Sequence, residues 1–147
     1  MKPFITGRTA WLAAALLALA SARLFPQPAG LAAVLDDGRA VDWKSSASLP
    51  LGAEYHLIRE DPKSGGVQAL VRFPKGYSLP DHHHGFDETL IVLKGKLRVG
   101  SGGSDKVLGR GGYASIPAGK MHSLKAEGWS GVVMVLTTNG PYSLNSK

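Results

Sequence analysis

From Ala53 onward, short apolar or β-branched runs alternate with turn residues at close intervals, a rhythm that predicts strands rather than helices. Ala53 to Glu60 and Val67 to Phe73 flank the turn Asp61-Pro62-Lys63-Ser64-Gly65-Gly66 and read as a hairpin. Pro74-Lys75-Gly76 and Leu79-Pro80 break the chain before a polar cluster, Asp81 to Glu88, which runs into the apolar strand Thr89 to Leu93 and ends at Lys94-Gly95. Lys96 to Val99, Lys106 to Leu108, Tyr113 to Ile116, Ser123 to Ala126 and Val132 to Thr138 follow, with glycine-containing turns between almost every pair. Many short strands with regular turns predict an all-β sandwich or barrel. Residues 23–52 are weakly patterned and predict a lead-in with one edge strand, Arg39 to Trp43, ahead of a single domain over 53–147.

The first 22 residues follow a different pattern. Lys2 and Arg8 precede an unbroken apolar run from Ala10 to Ala20, and Ala20-Ser21-Ala22 supplies small residues for a signal peptidase. The run is shorter than the roughly 20 residues that span a hydrocarbon core. A cleaved secretory signal, residues 1–22, is therefore expected over a retained anchor, and the mature protein is expected in the periplasm or outside the cell. Pro26-Gln27-Pro28-Ala29 offers a second cleavage position.

Composition narrows the classes further. A chain of 147 residues, 44% hydrophobic, fills one core but hardly two. Its 17 basic and 11 acidic residues give a charge of +6, and removal of Lys2 and Arg8 with the leader leaves 15 against 11. The basic residues are dispersed, with no run and no stripe interleaved with aromatics, so no nucleic-acid partner is expected. The absence of cysteine excludes disulfides, a lipid-bearing cysteine, thiolate ligands and iron–sulfur clusters. Any metal here is bound by nitrogen and oxygen.

Such donors are concentrated in two stretches. Side chains two apart on an extended segment share a face, so His82 and His84 converge while His83 points away. Glu88 heads an apolar strand and would share its face with Leu90 and Val92, where a carboxylate needs a partner. His122 follows Pro117-Ala118-Gly119, a tight turn that would carry it back toward the same interior. Imidazoles with a carboxylate suit Fe(II), Mn(II), Zn(II), Ni(II) or Cu(II). Phe86, Tyr113, Trp129 and Met134 are candidates for pocket walls, though such residues more often fill cores.

Gly76, His82, His84, Glu88 and Gly95 match in register the first motif of the cupin family, and Gly111, Pro117, Gly119 and His122 match the second. Ala126 stands where the second motif usually has asparagine, a position that is not a ligand in the family. The chain resembles a cupin over roughly Tyr55 to Thr138, and Arg59 to Pro62 with Ala69 to Pro74 looks like the small cupins related to anti-sigma factors. The resemblance implies a double-stranded β-helix, or jelly-roll barrel, holding a divalent transition metal ion with His82, His84, Glu88 and His122. It also implies a homodimer built through sheet faces or edge strands. Four protein ligands leave one or two positions on a five- or six-coordinate ion for water, dioxygen or a substrate oxygen. A metal-dependent dioxygenase or isomerase acting on a small oxygenated molecule is the leading expectation. A non-enzymatic exported binder of metal or a small ligand is the alternative, because one fold hosts many activities.

Overall fold

The computed structural model describes residues 33–34 and 36–146, and the signal segment expected over residues 1–22 lies outside them. Eleven strands and no helix occur among the described residues: β1 Lys44–Ser45, β2 Glu54–Glu60, β3 Val67–Phe73, β4 Ser78–His83, β5 Glu88–Lys94, β6 Lys96–Ser101, β7 Ser104–Leu108, β8 Tyr113–Ile116, β9 His122–Glu127, β10 Val132–Thr138 and β11 Asn145–Ser146. All pairing is antiparallel. One sheet has the order β1-β2-β3-β10-β5-β8 and the other β11-β4-β9-β6-β7, the two-sheet jelly roll that the motifs implied.

The alternation of each central strand sets what lies between the sheets. Ala69, Val71 and Phe73 of β3, Leu90 and Val92 of β5, Val132, Met134 and Leu136 of β10, and Leu124 and Ala126 of β9 are buried. Full burial of each large aliphatic side chain among them contributes about 1.5–3 kcal/mol. Register sorts the inner face into layers. Met134 lies opposite Val92, Leu136 opposite Leu90, and Thr138 opposite Glu88. In the second sheet Leu79 pairs with Leu124, and His82 with His122. The apolar layers therefore give way, at one end of the barrel, to a layer of polar side chains.

Two elements differ from the sequence expectation. The edge strand forms at Lys44–Ser45, paired with Tyr55 and Glu54, rather than over Arg39 to Trp43. β4 runs through Leu79-Pro80, which the sequence marks as a break. It tolerates Pro80 because the register shifts between Leu79 and His82, with three steps along β4 against two along β9. The extra residue is a β-bulge, and it keeps both Leu79 and His82 facing inward although they are three positions apart.

Candidate metal centre

The polar layer brings together the four residues singled out by spacing. His82, His84, Glu88 and His122 are all buried, from the end of β4, the segment after it, the start of β5 and the start of β9. Nitrogen atoms of the three histidines lie within 4.8 Å of one another. The Glu88 carboxylate completes the layer, with Oε1 3.3 Å from His84 Nε2 and Oε2 3.3 Å from His122 Nε2.

Each ring is oriented from behind by the backbone. His82 Nδ1 donates to the Pro80 carbonyl at 2.8 Å, His122 Nδ1 to the Lys120 carbonyl at 3.0 Å, and His84 Nδ1 to the Ser143 carbonyl. A carbonyl oxygen only accepts, so each Nδ1 carries the proton and each Nε2 of the neutral ring turns a lone pair inward. Those three Nε2 atoms and Glu88 Oε2 are buried without a hydrogen-bond partner. With the proton on Nδ1 of each ring, the 3.3 Å approaches to Glu88 set acceptor against acceptor and do not change that. Orphaned buried acceptors are costly in a folded protein unless something binds them. A cation with nitrogen and oxygen preference satisfies all four at once.

Electrostatics agree with that donor set at His82 and Glu88 and run the other way at His84. Burial is the main cause that pulls His82 down to about 4, so its ring is neutral near pH 7. Burial pushes His84 down as well, but the Glu88 carboxylate beside it more than offsets this and raises it above the ordinary value. Burial would raise Glu88, yet His122 and His84 outweigh it and hold the carboxyl down to about 2, ionised at any physiological pH.

The elements that hold the site are tied to each other. Gly119 N donates to the His84 carbonyl at 2.8 Å, which links the turn before His122 to the end of the His-rich segment. Asp87 accepts from Ala118 N at 2.9 Å and from Asn139 Nδ2 at 3.0 Å, and its own N–H donates to Asn139 Oδ1. One aspartate thus fastens the loop before Glu88 to the Pro117-Ala118-Gly119 turn and to the chain leaving β10. The segment that follows supplies Tyr142, whose ring centroid lies 5.2 Å from that of His84, and the Ser143 carbonyl. Burial, then Glu88 and Tyr77, push the Tyr142 hydroxyl up, so it stays protonated.

Sequence reasoning missed Asn139, Tyr142 and Ser143, for Gly140 to Ser146 has no hydrophobic period to mark it, and a backbone carbonyl leaves no residue-type signature. His83 is half-buried and lies outside the three-histidine cluster, in keeping with alternation along β4, although its Nδ1 is also buried without a hydrogen-bond partner. The possible pocket walls lie elsewhere. Met134 is core, Phe86 and Tyr113 are exposed, and Trp129 is 91% exposed beneath Lys75 Nζ. Ala126, at the position that departs from the motif, is buried in the core, and its N–H donates to the Tyr77 carbonyl at 2.9 Å.

An antiparallel two-sheet barrel with three inward imidazoles from two glycine-flanked segments defines a cupin with a candidate metal centre. More narrowly, the ChrR cupin-like domain profile matches residues 32–143, and the chain belongs to that family. The DNA damage-repair/toleration protein DRT102 of Arabidopsis thaliana is 38% identical over 76 residues, which are 50% of this chain and 23% of that protein. The chain thus spans under a quarter of that curated relative. An RmlC-like cupin from Shewanella frigidimarina superposes with a TM-score of 0.62 at 18% identity, covering 75% of this chain and 92% of that one. A chain of the Rhodobacter sphaeroides structure of SigE in complex with the anti-sigma ChrR gives 0.55 at 21% identity, covering 67% and 49%. At these identities the two structures establish a common fold.

Proposed function

We propose that this chain is a metal-binding cupin that holds one divalent transition metal ion with Nε2 of His82, His84 and His122 and with the Glu88 carboxylate. The observation that carries the reading is the set of four buried acceptor atoms, oriented from behind and left without partners. Bound there, such an ion supplies Lewis-acid or redox chemistry toward oxygen donors. The protein's own part is to keep the His82 ring neutral, aim all three rings, and hold one ionised carboxylate in a buried layer. Dioxygenation or isomerisation of a small oxygenated molecule is the reaction class this favours. The family match to ChrR cupin-like domains favours a second reading, a non-enzymatic binding module. Elemental analysis of untagged protein, then anaerobic Fe(II) reconstitution and oxygen uptake with catechols, thiols and diketones, separates the two. Uptake supports the enzyme; tightly held Zn or Cu without turnover supports the binder; protein that retains no metal sinks both.

The same reading includes export, supported by the basic start, the apolar run and Ala20-Ser21-Ala22. A soluble periplasmic product with the mass of a chain starting at Arg23 is expected, and a full-length mass in that fraction contradicts it. Pairing of two copies is also part of the proposal, supported by the edge position of β1 and the exposure of Leu93 and Tyr113. Untagged protein should sediment as a dimer at high micromolar concentration, and a strict monomer there counts against it.

A further inference from the structure

Beside the polar layer, a cavity of about 360 Å3 is bounded by Tyr55 of β2, Ala69 and Val71 of β3, Leu136 of β10, Leu49 of the β1–β2 loop, and Tyr142. Its position follows from the register. Leu136 is one inward position along β10 from Thr138, which pairs with Glu88, so the cavity borders the layer that holds the carboxylate. Tyr142 stands at that border, lining the cavity and lying 5.2 Å, ring to ring, from His84. Among the described residues its hydroxyl makes no hydrogen bond, which leaves a donor available on a half-buried ring at the cavity wall.

We propose that this cavity binds a small, uncharged, mainly apolar molecule carrying one oxygen acceptor, with the apolar body against Ala69, Val71 and Leu136 and the oxygen taking the Tyr142 O–H. Three features select that class. The volume lies at the lower end of the range for small-molecule sites and admits about one or two fused rings. The walls are predominantly apolar, which favours an uncharged body. No lysine or arginine lines the cavity, whereas Glu60 does and Glu88 lies in the adjoining layer, so a carboxylate or phosphate would meet negative charge without a protein cation. Placement of the ligand next to a metal rests on the metal-binding reading above; occupancy of the cavity does not, because none of the four proposed ligands lines it.

The test uses the full chain, both zinc-loaded and after chelation, titrated with 2-naphthol, naphthalene and 2-naphthoate by calorimetry or amide shifts. Saturable 1:1 binding of 2-naphthol is expected in both forms, with 2-naphthoate weaker by an order of magnitude or more in the chelated form. Tyr142→Phe keeps the ring and removes the donor. It should weaken 2-naphthol about fivefold, the size of one neutral hydrogen bond, and leave naphthalene unchanged. Ala69→Leu should abolish binding of both neutral probes by filling the space, and Leu49→Trp in the loop wall does the same if the first variant fails to fold. Zinc content is measured alongside. Retained zinc with no 2-naphthol binding overturns the cavity and leaves the metal reading intact, and the converse separates them the other way. Equal affinity for 2-naphthoate in the chelated form, or equal weakening of naphthalene by Tyr142→Phe, also overturns the proposal.

Discussion

Three imidazoles in one buried layer differ in what holds them, and that makes their substitutions separable. His82 and His122 are each oriented by a carbonyl two residues upstream, Pro80 and Lys120, so their own turns carry the aim. His84 depends on Ser143, 59 residues away, so its aim depends on docking of the C-terminal segment. His122→Ala removes a donor from a separate strand and should lower metal affinity by more than the roughly 10- to 100-fold typical of losing an outer partner. Glu88→Gln keeps the shape and removes the only negative charge of the layer, so affinity should fall while the fold persists. His83→Ala should leave metal stoichiometry at one, since that ring lies outside the three-histidine cluster. Elemental analysis of the three variants is the check. A site emptied by His83→Ala but full in His122→Ala would contradict the assignment. His82 and His84 were legible from spacing because alternation on an extended segment is a strict geometric rule, whereas Glu88 was legible from its place at the head of an apolar strand and His122 from the Pro117-Ala118-Gly119 turn. Asn139 and Ser143 were not, because they act through long-range contacts that no local pattern encodes.

Among the elements, the motif glycines have unequal duties. Gly95, between β5 and β6, has φ +83°, and a Cβ there would sit 2.3 Å from the Gly131 carbonyl oxygen, a backbone atom of the turn before β10. Gly76 has φ +72°, with nothing within 4 Å of such a Cβ. Gly76→Ala should therefore cost only the conformational penalty, about 1–2 kcal/mol. Gly95→Ala adds a clash with backbone that close packing keeps from moving, and should cost clearly more. Urea midpoints of the two variants give the comparison, and equal losses would mean that the Gly131 turn yields freely. Apolar runs bounded by clear turn residues, such as β3 and β10, were legible to the residue. β4 was not recognised as a strand, since Pro80 and the polar run Asp81 to His84 carry the signature of a loop; a bulge accommodates the proline and metal-layer side chains replace the apolar ones. β11 and the true edge strand β1 have two residues each, too few for any period to register.

For the molecule as a whole, the polar layer is a weak point in stability unless it is filled, and its titration sets the direction of the pH dependence. Without metal, the folded chain keeps His82 neutral down to about 4, while an unfolded histidine takes up a proton near 6.5. The unfolded state then binds more protons, so stability is lost as pH falls from about 6.5 toward 4. Glu88, held at about 2 against an ordinary 4.5, adds a loss in the same direction over that lower window. His84 is raised and acts oppositely, contributing stability below 6.5 that is lost as pH rises through its folded value. Its smaller shift leaves the His82 effect dominant. A bound ion adds RT ln(1 + [L]/Kd), about 2.7 kcal/mol at a hundredfold excess over Kd, or roughly 10 °C or more in Tm for a domain of this size. Coordination needs the imidazoles neutral, so that increment should shrink as pH drops through the imidazole range. Melting curves of the zinc-loaded and chelated protein at pH 7.5, 6.5 and 5.5 should therefore converge, with both forms less stable at pH 5.5 than at 7.5. A gap in Tm that stays constant across the three values would mean that no imidazole holds the ion, and no gap at any pH would mean that the four orphaned acceptors are satisfied in some other way.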